Sequence, residues 1–265
     1  MQQLLPTSEG LPTAELSDEQ LRRLYAYPQP LQQPWLRVNF VSSIDGAVSV
    51  DDRSAGLATP ADHQVFALLR GLADVVLVGA GTARAEGYGG ARSTAQLRTA
   101  RGARGQRAVP PIAVVTASAR LDPASPLFTA TEVAPLVFTT ESAETGRRQR
   151  LRAAGAEVHL VGETTVDLQA VLAVLAERDL LRVLCEGGPT LFGELIDANL
   201  VDDLCLTTAP WMVSGAAGRI SAGPSTAPRP MTLEHLLHDP DGTVLARWIR
   251  PGSPRAHPAP GKLAR

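Results

Sequence analysis

The chain has 265 residues, of which 44% are hydrophobic and only 4% aromatic, so its core has to be built mainly from Ala, Val and Leu. Its formal net charge of −2 at pH 7 gives no reason to expect binding to nucleic acid. No run approaches the roughly 18 consecutive apolar residues of a membrane helix, and the N-terminus lacks the charged and apolar regions of a signal peptide. We therefore expect a cytoplasmic protein in which Cys185 and Cys205 are reduced core thiols.

The first part of the chain, residues 1–34, is rich in Pro, Gln and Leu. Ser17 begins a capping pattern that predicts a short helix through Leu24. We interpret this segment as an arm laid over a single domain that spans residues 35–251. Residues 252–265 are expected to form a flexible tail.

Beyond the arm, apolar strands alternate with helices. Strands are predicted over residues 36–41, 75–78, 112–116, 136–139, 158–161, 183–185, 204–208 and 244–249. Helices are predicted from an N-terminal start at Thr59-Pro60, over 167–178 and over 191–199. This pattern is typical of a mostly parallel sheet covered on both faces, with an antiparallel strand at the end. The arginine-rich stretch 87–109 and the stretch 214–230 are expected to be mobile.

Two glycine motifs follow predicted buried strands. Residues 79–82 read Gly-Ala-Gly-Thr, and residues 186–190 read Glu-Gly-Gly-Pro-Thr and open a helix. A glycine turn at the start of a helix presents free backbone N–H groups and the helix dipole to an anion such as a phosphate. Either motif alone is equally typical of a tight turn, and neither the Rossmann fingerprint nor a P-loop is present. Two such turns in one domain predict a nucleotide cofactor held at two places.

A third element, residues 41–46 with the sequence Val-Ser-Ser-Ile-Asp-Gly, ends the first predicted strand. Two further motifs complete the set of family-like motifs: Leu69-Arg70, and the run 200–204, Leu-Val-Asp-Asp-Leu, which leads to Ala209-Pro210. In order and spacing these motifs resemble the reductase domain at the C-terminal end of the bifunctional riboflavin-biosynthesis deaminase–reductases. The resemblance runs from about residue 36 to residue 250, and it favours a stand-alone pyrimidine-reductase-like branch.

The resemblance implies a dihydrofolate-reductase-like α/β fold. This is a three-layer α/β/α arrangement with a mostly parallel mixed sheet and an antiparallel C-terminal strand. It also implies NADPH-dependent reduction of 5-amino-6-(5-phosphoribosylamino)uracil. A dihydrofolate or pterin reductase on the same fold is the second hypothesis, and a non-catalytic NADP-binding protein is the third. The zinc deaminase motif is absent, the histidines show no metal-ligand spacing, and no metal is expected.

The resemblance assigns Glu186 and Asp45 to catalysis, and it assigns Ser54, Arg70, Arg92 and Glu186 to the substrate. The motifs and the resemblance together assign to the cofactor Ser42, Gly56, Gly79, Gly81, Thr82, Glu86, Thr116, Ser118, Gly187, Gly188, Pro189, Thr190, Leu191, Phe192 and Gly193. On physical grounds alone, Asp45 is a turn former, Arg70 a cation at a helix C-terminus and Glu186 a helix-capping carboxylate.

Two departures from the family lie on the presumed substrate side. Ala47 replaces a basic residue, and residues 86–88, Glu-Gly-Tyr, replace Asp-Asn-Pro. Arg120 is a candidate contact for the cofactor's 2′-phosphate. His235 and His238 are interpreted as a solvated helix face.

The family also implies a homodimer. Members of this fold commonly dimerise through their C-terminal strands, and a two-fold dimer suits one self-complementary patch. Trp211 and Trp248 would lie near that interface, where aromatic residues are enriched.

Overall fold

One mixed sheet carries the fold in the computed structural model, which describes residues 1–5, 15–51, 53–224 and 227–253. In the described residues its strands are β1 (Gln2–Leu5), β2 (Trp35–Ser43), β3 (Val75–Gly79), β4 (Ile112–Val115), β5 (Leu136–Thr139), β6 (Glu157–Leu160), β7 (Arg182–Cys185), β8 (Asp203–Ala209), β9 (Thr232–His238) and β10 (Val244–Ile249). The helices are α1 (Asp18–Leu24), α2 (Pro60–Leu72), α3 (Ala80–Ala85), α4 (Ala95–Gly102), α5 (Pro126–Thr129), α6 (Thr145–Ala153), α7 (Leu168–Ala176) and α8 (Pro189–Asp197). None of these helices has the length and apolar character that crossing a bilayer requires.

The strand order is β1-β9-β10-β8-β2-β7-β3-β4-β5-β6. The run from β8 to β6 is parallel throughout, and β10, β9 and β1 add antiparallel pairs at the other end. All the predicted strands are present with bounds shifted by at most two residues, and the mostly parallel sheet with an antiparallel last strand is confirmed. The predicted tail, residues 252–265, lies outside the described residues beyond Ser253.

Helices cover both faces of the central strands because alternate strand residues point to opposite sides. On one face, Leu77 and Phe138 pack against α7 and α8. On the other face, Val76 and Val137 pack against α3, α5 and α6, and α1 and α2 cover the strands nearer β10. These contacts give the three-layer arrangement that was predicted.

The antiparallel end of the sheet is covered on one side only. Residues of β8, β9 and β10 that point away from α1 and α2 are half-buried and mostly apolar. They pair across the strands as Leu206–Ala246–Leu236 and Leu204–Trp248–Leu233, with Val244 beside them. We call this surface, Leu204, Leu206, Leu233, Leu236, Val244, Ala246 and Trp248, the open face.

The strand β9 was not predicted, and the interpretation of His235 and His238 as a solvated helix face is wrong. Both residues lie in β9, and His235 is 1% exposed with its ring edge-on to Tyr25, 4.7 Å between centroids. Burial and the charge of Arg247 lower the pKa of His235 to about 3, so the ring is neutral. The alternation of apolar and polar residues in β9 is imperfect, which hid the strand.

The arginine-rich stretch contains the helix α4 where the sequence predicted a mobile loop. Arg101 is fully buried, and its guanidinium donates to the carbonyls of Ala73, Gly71 and Arg107. Arg104 adds a bond to the Gly71 carbonyl at 2.8 Å. These arginines therefore satisfy carbonyl groups at the end of α2, which have no partner within the helix.

A buried ionic cluster joins the N-terminal segment to the sheet. Asp203 on β8 is fully buried and accepts hydrogen bonds from Arg37 on β2, Arg247 on β10 and the Trp35 indole. The two guanidiniums also donate to the carbonyls of residues 24, 25 and 26, at the C-terminal end of α1. The helix α1 has the predicted capping box between Ser17 and Gln20.

We predict that Asp203→Asn lowers the free energy of unfolding by about 3–5 kcal/mol, because it leaves two buried guanidiniums without a carboxylate. Urea denaturation followed by circular dichroism measures this change. Asp179→Asn is the matched control, since Asp179 is exposed and its positive φ of 58° suits Asn. A loss below about 1 kcal/mol for Asp203→Asn would contradict the ionic role.

The same carboxylate gives a pH dependence. Burial would raise the pKa of Asp203, but the charges of Arg247 and Arg37 outweigh it and lower the pKa from 3.8 to about 2. Asp203 therefore stabilises the fold fully above about pH 4, and this contribution is lost as the pH falls towards 2. The stability difference between the wild type and Asp203→Asn should shrink over that range.

Candidate functional site

A cavity of about 1250 Å³ opens at the carboxyl ends of the parallel strands β2, β3, β4 and β7. The predicted site residues that line it are Ser54, Arg70, Gly79, Gly81, Thr82, Glu86, Thr116, Glu186, Gly188, Pro189, Thr190 and Leu191. The parallel order explains this convergence, since successive strands end at the same edge of the sheet.

The two glycine motifs are in direct contact at the floor of the cavity. The Gly79 N–H donates to the Gly187 carbonyl at 2.7 Å, and the Glu186 N–H donates to the Leu77 carbonyl at 2.9 Å. The helices α3 and α8 begin here with Gly79 and Gly188 as N-caps, and no side chain in the described part of the chain caps either one. Two sets of free helix N–H groups therefore border one space, as an anion site requires.

Both glycines of the second motif lie too close to neighbours to carry a side chain. Gly187 has a φ of 85°, and a Cβ there would lie 2.6 Å from the Phe40 ring. A Cβ on Gly188 would lie 2.2 Å from the Thr82 hydroxyl oxygen, and the peptide bond between the two glycines is cis. The second motif therefore packs directly against the first.

Glu186 is held by a closed set of side-chain contacts. Arg70 on α2 donates from Nε to Oε1 at 2.6 Å and from Nη2 to Oε2 at 2.7 Å. The Tyr88 hydroxyl donates to Oε2 at 2.5 Å. The Arg70 guanidinium also lies over the Phe66 ring, 4.5 Å from its centroid. These two-point and charge-assisted contacts fix the carboxylate, whose side chain is only 3% exposed.

The contacts around Glu186 shift the pKa values of Arg70 and Tyr88 upward. Burial lowers the pKa of Arg70, but the hydrogen bonds and charge of Glu186 outweigh that effect and hold the pKa above its usual value. Burial and the neighbouring Glu186 carboxylate raise the pKa of Tyr88 well above its usual value. The phenol therefore remains a hydrogen-bond donor.

Ser54 and Glu86 lie together on the cavity wall. A Glu86 carboxylate oxygen accepts from the Ser54 N–H at 2.9 Å. Ser54 begins a short 3₁₀ turn, Ser54–Gly56, and Glu86 ends α3. The carboxylate thus joins the 3₁₀ turn to the first glycine motif, which closes this side of the cavity.

Asp45 does not line the cavity in this structure. It is exposed, and its carboxylate accepts hydrogen bonds from the Ser43 hydroxyl and from the N–H groups of Val213 and Ser214. These bonds, that of Ser43 first, lower the pKa of Asp45 to about 2. Asp45 therefore joins the turn after β2 to the segment after β8, and its role in catalysis stays a prediction.

Other predicted site residues also lie off the cavity wall: Ser42, Gly56, Arg92, Ser118, Gly187, Phe192 and Gly193. Arg92 is exposed and donates to the Ala130 carbonyl, so the structure does not bring it to Arg70. The Phe192 ring stacks on Phe40 at 5.3 Å, and a Cβ on Gly193 would lie 2.1 Å from the Ala222 carbonyl oxygen. Both residues serve packing here.

Several residues of the cavity wall were missed from the sequence. Tyr88 was noted only as a departure from the family, and Phe66 was not singled out. Asn39, His63 and the segment 165–169 also line the cavity. No local pattern marks these residues, because their neighbours in space are remote in sequence.

Comparison with known proteins agrees with this geometry. The model of the RibD C-terminal domain family matches residues 34–245. The 2,5-diamino-6-ribosylamino-4(3H)-pyrimidinone 5′-phosphate reductase of Archaeoglobus fulgidus is 30% identical over 184 residues, 69% of this chain and 83% of the relative. The enzyme of the same name from Aquifex aeolicus is 27% identical over 190 residues, 70% of this chain and 80% of the relative.

Among solved structures, a pyrimidine reductase-like protein from Corynebacterium diphtheriae is similar, with a TM-score of 0.75 and 28% identity over 82% of this chain and 91% of that one. The predicted fold class and the prediction of an oxidoreductase are confirmed. The chain belongs to the RibD C-terminal domain family, the reductases of riboflavin biosynthesis.

Proposed function

We propose that this chain uses a nicotinamide cofactor, NADPH, to reduce a pyrimidine that carries a ribosylamino 5′-phosphate. The observation that carries the proposal is the position of Glu186, fixed by Arg70 and directly joined to the two paired glycine turns. A ring-binding carboxylate thus stands beside an anion site. The cavity of about 1250 Å³ exceeds the roughly 300–1000 Å³ typical of a pocket for one small molecule, which suits a cofactor and a substrate together.

The glycine turns fit the pyrophosphate of the cofactor. Their uncapped helix N-termini supply N–H donors and a favourable dipole, and the absence of a Cβ at Gly188 lets the two turns pack directly against each other through Thr82. Arginines support the choice of NADPH. Arg84 donates to the Arg120 carbonyl at 2.8 Å, and Arg147 donates to the Ser118 carbonyl at 3.4 Å, so cations surround a turn just beyond the cavity-lining Thr116. A 2′-phosphate at that turn would meet positive charge.

The bound nicotinamide supplies the hydride, which in this proposal reduces C1′ of the opened ribose. The residues of the chain bind and orient the reactants. Glu186 accepts a hydrogen bond from a ring N–H, and its contacts with Arg70 and Tyr88 prevent it from turning away. Those contacts do not use Nη1 of Arg70, and we propose that this group donates to the substrate's phosphate.

Turnover gives the direct test. When the pyrimidine ribosylamino 5′-phosphate is added to purified protein and NADPH, the absorbance of the reduced nicotinamide should fall. Arg70→Met should lower kcat/KM roughly 30-fold or more, because it leaves Glu186 buried without its partner and removes the phosphate contact. Arg22→Met, at an exposed helix position, is the matched control and should change it little.

The other hypotheses make different predictions in the same assay. Reduction of dihydrofolate without reduction of the pyrimidine would favour a pterin reductase. Tight NADPH binding with no turnover on either substrate would favour a non-catalytic NADP-binding protein. Either result would reject the proposed substrate.

A substitution at Gly188 tests the cofactor site separately. Gly188→Ala places a methyl group against Thr82 and the start of α8, so we expect NADPH affinity to fall roughly tenfold or more, which calorimetric titration measures. Gly102→Ala is the matched control, because Gly102 lies in α4 with open space at its Cβ. Unchanged NADPH affinity in Gly188→Ala would remove this turn from the cofactor site.

We also propose a homodimer formed through the open face. The face is a half-buried apolar surface of three antiparallel strands with Trp248 on the central strand, and the segment after β8 exposes Trp211 and Met212. A surface of this kind is typical of an interface, and a two-fold axis suits one self-complementary patch. A second copy of the chain would cover the open face, the side of the sheet that α1 and α2 do not cover.

The dimer is tested by mass in solution. Light scattering should give twice the chain mass of 28.0 kDa. Leu206→Lys should yield monomers by placing a charge in the interface, whereas Leu160→Lys, on the edge strand β6 at the far end of the sheet, should leave the dimer intact. A monomeric wild type would overturn the proposal.

The location in the cell is a further part of this proposal. Cys185 and Cys205 are both buried and unpaired. Unpaired thiols in a core suit a reducing compartment, which supports the cytoplasm.

A further inference from the structure

The segment after β8, residues 211–224, forms neither helix nor strand, and we call it the strap. Its middle, residues 214–219, is exposed. Its far end returns to the site, because Pro224 lines the cavity, as do Glu194 and Asp197 of α8. A segment without regular structure and with an exposed middle depends on the contacts near its two ends.

The far end of the strap packs on the first turns of α8. The Ala222 N–H donates to the Pro189 carbonyl at 2.9 Å. A Cβ on Gly193 would lie 2.1 Å from the Ala222 carbonyl oxygen, so the strap occupies the space that this glycine leaves. Ile220 packs against the hydrophobic core that contains Phe192. The strap therefore supports the helix turn whose N–H groups form the proposed anion site.

The near end of the strap is attached to the turn after β2. The Asp45 carboxylate accepts from the Ser214 N–H at 2.7 Å and from the Val213 N–H at 3.2 Å. The Ile44 N–H donates to the Trp211 carbonyl at 2.9 Å. Hydrogen bonds to a carboxylate are stronger than those between neutral groups, so Asp45 provides the stronger of these attachments. It is also the attachment that a side-chain substitution can remove.

We propose that Asp45 is a positioning residue that acts on the cofactor through the strap. With the carboxylate present, both ends of the strap are held, and α8 and the cavity wall at Pro224 keep the arrangement that binds the cofactor. Without it the strap is attached for a smaller fraction of the time, and the apparent affinity for the cofactor falls with that fraction. The inference rests on the proposed function, since it assumes that the cofactor binds at the glycine turns.

Calorimetric titration with NADPH tests the effect on the cofactor. Asp45→Ala should weaken NADPH binding roughly tenfold, the lower end of the range for hydrogen bonds to a charged group, because Asp45 is exposed. Asp45→Asn keeps one acceptor oxygen and should weaken it less. In turnover, KM for NADPH should rise more than kcat falls, whereas loss of a residue that touches the reacting atoms would lower kcat. Glu19→Ala, which removes an exposed carboxylate on α1, is the matched control and should change neither value.

Trypsin measures the strap itself, without turnover. Arg219 lies in the exposed middle of the strap, and mass spectrometry identifies cleavage after it. The rate of cleavage follows the fraction of molecules in which the strap is detached. Asp45→Ala should be cut there several-fold faster than the wild type, and saturating NADPH should slow the cut in the wild type, because the effects of cofactor and strap on each other are reciprocal. Equal rates in the two proteins would overturn the role of Asp45.

A substitution at the other end of the strap tests the route of the effect. Gly193→Ala places a methyl group against the Ala222 carbonyl and should displace the strap from α8. If Asp45 acts through the strap, adding Asp45→Ala to Gly193→Ala should lower NADPH affinity little further. Two losses that multiply in full would contradict this route.

Failure of the proposed function has a different signature. If the wild type does not bind NADPH, the proposed function fails and the inference fails with it. Unchanged NADPH affinity in Asp45→Ala, with normal binding by the wild type, overturns the inference and leaves the proposed function standing. The titration and the trypsin comparison do not depend on Gly193→Ala, so the inference stays falsifiable even if that variant does not fold.

Discussion

The hydrogen bond from the Gly79 N–H to the Gly187 carbonyl marks the constraint on which the site depends. It exists because β3 and β7, which are far apart in the sequence, are parallel neighbours in the sheet. Pairing them in register places both glycine turns, the starts of α3 and α8, and Glu186 at one edge. The paired glycine turns and the position of the Glu186 carboxylate are therefore consequences of one strand pairing.

The structure could be predicted from the sequence wherever local periodicity or turn chemistry determines it. The apolar strands, the capped helix α1 and the glycine turns have such signals, and the structure contains them. Arg101 and His235 show where this reasoning ends. An arginine that satisfies carbonyls of another helix, and a neutral histidine buried in a strand, look like surface residues until their partners in space are known. Tyr88 was not predicted as a site residue for the same reason, since its partner Glu186 is remote in the sequence.

The site also separates two kinds of contact. In the proposed function the cofactor side consists of backbone groups, whose positions follow from the fold and which the glycine motifs mark in the sequence. The proposed substrate side consists of side chains, Arg70, Tyr88 and Glu186, that reach one another from α2, the segment after α3 and the end of β7. Single substitutions can change these side-chain contacts without disturbing the sheet, so relatives with one fold can differ in the ring that they accept.

The buried cluster around Asp203 has a consequence for where the folding unit begins. The family match starts at residue 34, yet Arg37 and Arg247 donate to the carbonyls of residues 24, 25 and 26, which lie before that point. The single Asp203 carboxylate neutralises only one of the two guanidinium charges, so one buried positive charge is left over. The three carbonyl dipoles stabilise that charge. A chain that began at residue 34 would keep every residue of the cavity wall and still lack the carbonyl acceptors of Arg37 and Arg247. In this protein the N-terminal limit of sequence similarity and the N-terminal limit of the buried ionic cluster do not coincide.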